Sequence, residues 1–143
     1  MAINNRLNEI KERIKEQLEW IDGSDDYNFD LTNKIRTQFV PLDENDLFPS
    51  LCIASLSTGE SNRIDQVTYQ IPVVVEIVGY VMDDTDPLGA ILKLAMDAEK
   101  AIYSDPSLDK LVWDLRVTIE IGTLREFGVL LMTLIANTDF ILQ

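Results

Sequence analysis

Residues 63–82, RIDQVTYQIPVVVEIVGYVM, decide how the rest of the chain is read. Val67, Tyr69, Ile71, Val73, Val75 and Ile77 keep one parity along this run. A period of two puts alternate side chains on one face of a β-strand, so these residues are expected to face the core. The opposite face starts polar at Thr68 and Gln70 and turns apolar at Val74 and Val78. That change predicts a strand half wet at its start and covered on both sides at its end. Pro72 sits at the crossover and has no N–H to give to a ladder, so an edge, a bulge or a change of pairing partner is expected there. The first half then reads as a projecting arm, and the second half as a strand of the main sheet roofed by helices.

Directly after this strand, MDDTDPLGAILKLAMDAEKAIYSDP carries both labels of a helix. Asp86 is placed to cap the first turn, and Pro87 suits the first helical position, where its missing N–H costs nothing. Leu88, Ile91, Ala95, Ala98 and Ile102 recur at helical spacing as the expected buried stripe, and Ser104-Asp105-Pro106 stops the helix. Before the strand, Leu51, Ile53 and Leu56 suggest a partner, and STGESN turns the chain as a hairpin with its tip near Gly59. A short strand is also expected near residues 31–39, and VPLDENDLFPS reads as a loop between prolines.

The ends of the chain complete the architecture. Ile3, Leu7, Ile10, Ile14, Leu18 and Ile21 form one apolar stripe on a charged helix over residues 3–21, closed by Asp22-Gly23 with Gly23 suited to a left-handed cap. Toward the C-terminus, Trp113, Leu115, Val117, Ile119 and Ile121 alternate with polar residues as a strand with one wet face. GTLREFG turns the chain into a nearly continuous apolar run, residues 129–136, that reads as buried on both faces. The whole is a single domain, residues 1–143, of the α+β class: a mostly antiparallel sheet of about four to six strands with two main helices packed on one face.

Composition limits the function. The chain has 143 residues and a net charge of −13, from 25 acidic and 12 basic side chains. A protein that grips nucleic acid by its phosphates needs the opposite sign. Eight acidic residues between Asp22 and Glu60 face only Lys34 and Arg36, so this stretch carries much of the negative surface. There is no histidine, which removes Ser-His-Asp and Cys-His chemistry and the commonest metal ligand. Cys52 stands alone in an apolar context and reads as a small buried hydrophobe. No run approaches the roughly 20 apolar residues of a membrane helix, and the N-terminus is charged where a signal peptide needs an apolar block. Asp83, Asp84 and Asp86 form an oxygen-rich loop without calcium-loop spacing, and Gly89, Gly122 and Gly128 make no phosphate-cradling pattern. No cofactor, metal or catalytic group is implied.

Laid in order, these pieces resemble the tail terminator (tail completion) proteins of long-tailed bacteriophages. The resemblance runs through the N-terminal amphipathic helix, "FPSLCIASL", "YQIPVVVEIVGYV", the acidic turn "DDTDP" opening "LGAILKLAMDAEKAIYSDPSL", and the closing hairpin "VWDLRVTIEIG" to "FGVLLMTLIANTDF". In that family the closing strand often ends on an aromatic after alternating apolars. Here Phe140 follows Thr138 and Asp139, so the resemblance leaves the C-terminal register open. It implies a non-enzymatic virion protein at the head-proximal end of the tail, made in the host cytoplasm. Such a protein forms a hexameric ring on the tail tube protein, stops polymerisation, docks the head-tail connector protein, and lets DNA pass through its lumen without specific binding. An acidic surface suits such a lumen. On this reading Arg63, Asp65, Tyr69, Ile71, Pro72 and Arg125 are candidates for self-assembly, with the arm packing on an adjacent protomer and the two arginines meeting acidic neighbours. The alternatives are another head-tail connector or minor tail component, a small intracellular ligand-binding module, and a carboxylate-dependent metal enzyme.

Overall fold

The alternation at residues 71–77 is realised in a long central strand, around which the computed structural model places the rest of residues 3–141. In chain order the elements are helix α1 (Ile3–Leu18), strands β1 (Ile35–Arg36), β2 (Ser50–Thr58), β3 (Asn62–Arg63) and β4 (Thr68–Met82), helix α2 (Pro87–Tyr103), and strands β5 (Trp113–Leu124) and β6 (Phe127–Ile141). They build one six-stranded sheet in the order β1-β2-β4-β6-β5, with β3 also paired to β4. All pairings are antiparallel except β1 with β2, which is parallel. The fold is α+β, with both helices on one face of the sheet. α1 lies against β1 and β2, and α2 lies beside it against β4, β5 and β6.

One core fills the space between helices and sheet. Val73, Val75 and Ile77 of β4 meet Leu130, Met132, Leu134 and Ala136 of β6, and Ile91, Leu94, Ala98 and Ile102 descend on them from α2. Glycine sets the approach distance at Gly128. A Cβ there would stand 2.6 Å from both the Cβ of Ile91 and the carbonyl oxygen of Pro87, so the first turn of α2 rests on bare backbone. Asp86 caps that turn by accepting the N–H of Gly89 at 3.0 Å, with Pro87 in the first position. The core parity of β2 switches between Ile53 and Leu56, and a bulge between Ile53 and Ser55 absorbs the extra residue.

Two polar residues tie the helices together. Gln17 is fully buried, and its Nε2 donates to the carbonyls of Ala101, Ile102 and Asp105 at 3.1–3.2 Å. These carbonyls lie in the last turn of α2 and just beyond it; those of Ile102 and Asp105 also take the N–H groups of Asp105 and Leu108, whereas that of Ala101 is met by Gln17. Arg13 holds the amide in place through its Nε on Gln17 Oε1 at 2.9 Å, and also bonds Asp105 at 3.0 Å. Farther along α2, the buried carboxylate of Asp97 accepts the backbone N–H groups of Asn28 and Phe29, pinning the loop after α1.

Several expectations are corrected. β4 begins at Thr68, so Val67 precedes the strand and is 50% exposed, while Arg63 lies across the turn in β3, opposite Tyr69. The hairpin tip is at residues 64–67 rather than near Gly59, because β3 continues the ladder that β2 leaves at Thr58. α1 ends at Leu18; Gly23 is left-handed (φ 81°), but in a turn closed by a bridge between Asp22 and Asp30. The stripe of α1 is buried at Ile10, Ile14 and Leu18, and the expectation for the side chain of Ile3 lies outside the described residues. The strand expected over residues 31–39 shrinks to Ile35–Arg36. Leu88 is 53% exposed and lies off the buried stripe of α2. Finally, the second face of β4 and β6 is not covered along its length. Val74, Val78, Val129 and Leu131 are half-buried and Ile135 is exposed, because both helices lie on the other side. At its far end the loop after β1 closes over this face, the phenol of Tyr80 donating to the carbonyl of Val40 at 2.7 Å and Phe48 packing on Phe127.

Candidate assembly surface

Beyond Val73 the ribbon of β4 and β6 runs on past the end of β2. Residues 68–71 pair with residues 138–141 of β6 on one side, and Tyr69 and Gln70 pair with β3 on the other. Pro72 marks the point where β4 changes partner from β3 to β2, and its carbonyl takes the N–H of Gly59 at 2.9 Å. Among the three possibilities that the proline left open, the change of pairing partner is the one realised. The same ladder settles the C-terminal register. Phe140 stands opposite Tyr69, with ring centroids 5.4 Å apart in a stacked pair.

The tip of this arm is built from its own polar groups. Asp65 Oδ1 accepts the N–H of Val67 at 2.9 Å and of Thr68 at 2.7 Å, and these two backbone bonds hold its carboxyl below the usual carboxylate range. Arg63 donates through Nε to the carbonyl of Asp65 and through Nη2 to that of Gln66. Both residues therefore shape the turn. The turn in turn presents Ile64 and Val67, exposed by 54% and 50%. Ile64 falls outside every periodic run of the sequence, and Val67 read as the first core-facing residue of the strand because its parity matches, although β4 starts one residue later.

The six assembly candidates do not converge. Arg63, Asp65, Tyr69 and Pro72 belong to the arm, whereas Ile71 is buried in its base. Arg125 lies at the far end of the ribbon, left-handed (φ 56°) in the two-residue turn between β5 and β6. There it borders a cleft of about 500 Å³ with Leu42, Phe48, Leu124 and Phe127. A second cleft, of about 460 Å³, opens beside the start of α2 between Phe29, Phe48, Met82 and Lys93. The aspartates that line it are already engaged by backbone. Asp83 accepts the N–H groups of Thr85 and Asp86, and Asp86 caps Gly89. Among the described residues no His, Cys, Asp and Glu side chains gather as a metal site, and no helix is long and apolar enough to cross a membrane. Cys52 is buried, and burial pushes its thiol up.

Across the open face of the sheet the rows run Val74, Ile135, Arg116; then Glu76, Thr133, Thr118; then Val78, Leu131, Glu120. The face is apolar on β4 and β6 in its outer rows, polar along the middle one, and charged at Glu76, Arg116 and Glu120. No protein-family model matches the chain, and no curated protein matches it either.

Proposed function

We propose that this chain is a structural protein of a bacteriophage tail, a terminator whose copies close a hexameric ring on the end of the tail tube. In this role it stops growth of the tube protein and offers the head-tail connector protein a docking surface, at the head-proximal end of the tail in the virion. The arm is the observation that carries the reading. It is a ribbon stiffened by a ladder, an aromatic stack and a self-bonded turn, and it ends on exposed Ile64 and Val67. Stiffening costs conformational entropy, and a chain that acts alone gains nothing by ordering an apolar tip in water. A neighbour that receives the tip recovers that cost, and a head-to-tail contact of this kind closes rings. The net charge of −13 supports passage of DNA through a lumen without adhesion.

The test is co-assembly with the tube protein. Tubes that stop at a defined length and carry a six-fold cap support the terminator role over that of another connector or minor tail component. Tubes that lengthen without limit in the presence of this chain overturn it.

A further inference from the structure

The two edges of the sheet are finished differently. At one edge β1 is only two residues long. At the other, β5 is a twelve-residue strand whose outer backbone edge meets no strand among the described residues. Long edges invite a further strand unless a charge, a proline or a bulge spoils them. β5 has one irregularity, between Trp113 and Arg116, and from Arg116 to Leu124 it pairs regularly with β6. Its helix-side row, Leu115, Val117, Ile119 and Ile121, is only half-buried.

A second unpartnered apolar row lies above it. Leu88, Leu92, Met96 and Tyr103 of α2 are 53%, 49%, 58% and 43% exposed. Asp97 and Ala101 turn toward the Asn28 loop and Gln17 of α1. At about 100° per residue, Leu88 and Leu92 then fall on the opposite flank of the helix, the one toward β5, while Met96 and Tyr103 border a cleft with Asp26 and Asn28. Edge and flank are thus open on the same side of the molecule.

We infer that two copies of this chain pair β5 to β5, antiparallel about a two-fold axis at Thr118, and continue the sheet from one copy into the other. The side chains select this partner and this register. With Thr118 opposite its own copy, Arg116 faces Glu120 of the second chain and Glu120 faces its Arg116. On the helix side, Leu115 meets Ile121 and Val117 meets Ile119. A shift of two residues one way sets Asp114 against Glu120, and a shift the other way loses both ion pairs. A shift of one residue opposes the wet row to the apolar row. Opposite charges directly across a ladder stabilise it and like charges destabilise it, so the strand is complementary to itself in one register only. The same operation brings the two α2 flanks toward each other over the seam and covers Leu88 and Leu92.

This seam is separate from the proposed ring, since a two-fold contact does not repeat around six-fold symmetry; tube-length assays and pairing assays fail independently. The test is the mass of the free full-length chain by light scattering and native mass spectrometry over micromolar concentrations. The expected particle is twice the 16.3 kDa chain. Arg116→Glu and Glu120→Arg each weaken it by about tenfold or more, and the double swap restores it to within about threefold. Hydrogen exchange on the unaltered protein supplies a second measurement, with the amides of residues 116–121 slowing as concentration rises. A monomer throughout, an oligomer indifferent to both reversals, or β5 amides insensitive to concentration overturns the inference.

Discussion

The ribbon of β4 and β6 passes without a break through two environments. From Val73 to Val81 it lies beneath α2 and buries every second side chain; from Thr68 to Ile71 it leaves the roof and is held by β3, a stacked aromatic pair and a bonded turn. Backbone pairing is equally regular in both parts. The difference lies in what covers them, so stability belongs to one end and availability to the other.

The sharpest test of that division removes a roofed side chain. Ile77→Ala, at a fully buried position, is expected to cost about 3 kcal/mol by urea unfolding. The helix clamp comes next. Gln17→Leu leaves the carbonyl of Ala101 without its donor and removes a second bond from those of Ile102 and Asp105, and is expected to cost about 2 kcal/mol, read as a lower thermal midpoint. Asp86→Ala removes the cap of α2 and is expected to cost about 1 kcal/mol. At the arm, Val67→Asp is expected to change stability by less than about 0.5 kcal/mol while abolishing ring assembly on tubes. A tip variant as damaging as Ile77→Ala would erase the distinction between the two ends.

The smallest effect is a pH dependence confined to the tip. The carboxyl of Asp65 is held below its ordinary value by the N–H groups of Val67 and Thr68. Its folded value is lower than its unfolded one, so its contribution is present above the ordinary carboxylate range, near about pH 4. That contribution is lost as pH falls through the folded value. The protection of the Val67 and Thr68 amides, taken against their intrinsic exchange rates at each pH, is expected to fall on acidification below that range, and Asp65→Asn should abolish the dependence. An identical loss of protection in residues 129–136 would show that the tip and the body open together.

Much of the frame was legible because local rules act on neighbours in sequence. The parity of Ile71, Val73, Val75 and Ile77 gave the core face of β4, and Asp86-Pro87 marked the start of α2 where it is found. Three features were not legible, each for its own reason. Ile64 and Val67 sit in a turn whose place depends on β3 pairing with β4. Gln17 and Asp97 look like surface polar residues until a second helix or a loop is laid across them. Leu88 shares helical spacing with Ile91, yet it rotates onto a flank that no element among the described residues covers.

The sequence alone settled which side chains share a face, because the periods of strand and helix are set by backbone geometry and need no distant partner. It did not show that only one of the two apolar faces would be closed. Val74, Val78, Leu131 and Ile135 read as buried, but the two helices both came to rest on the opposite face, leaving these residues at a surface. Tertiary structure decided that, because burial requires a second layer, and the placement of a layer depends on contacts between segments far apart in the chain.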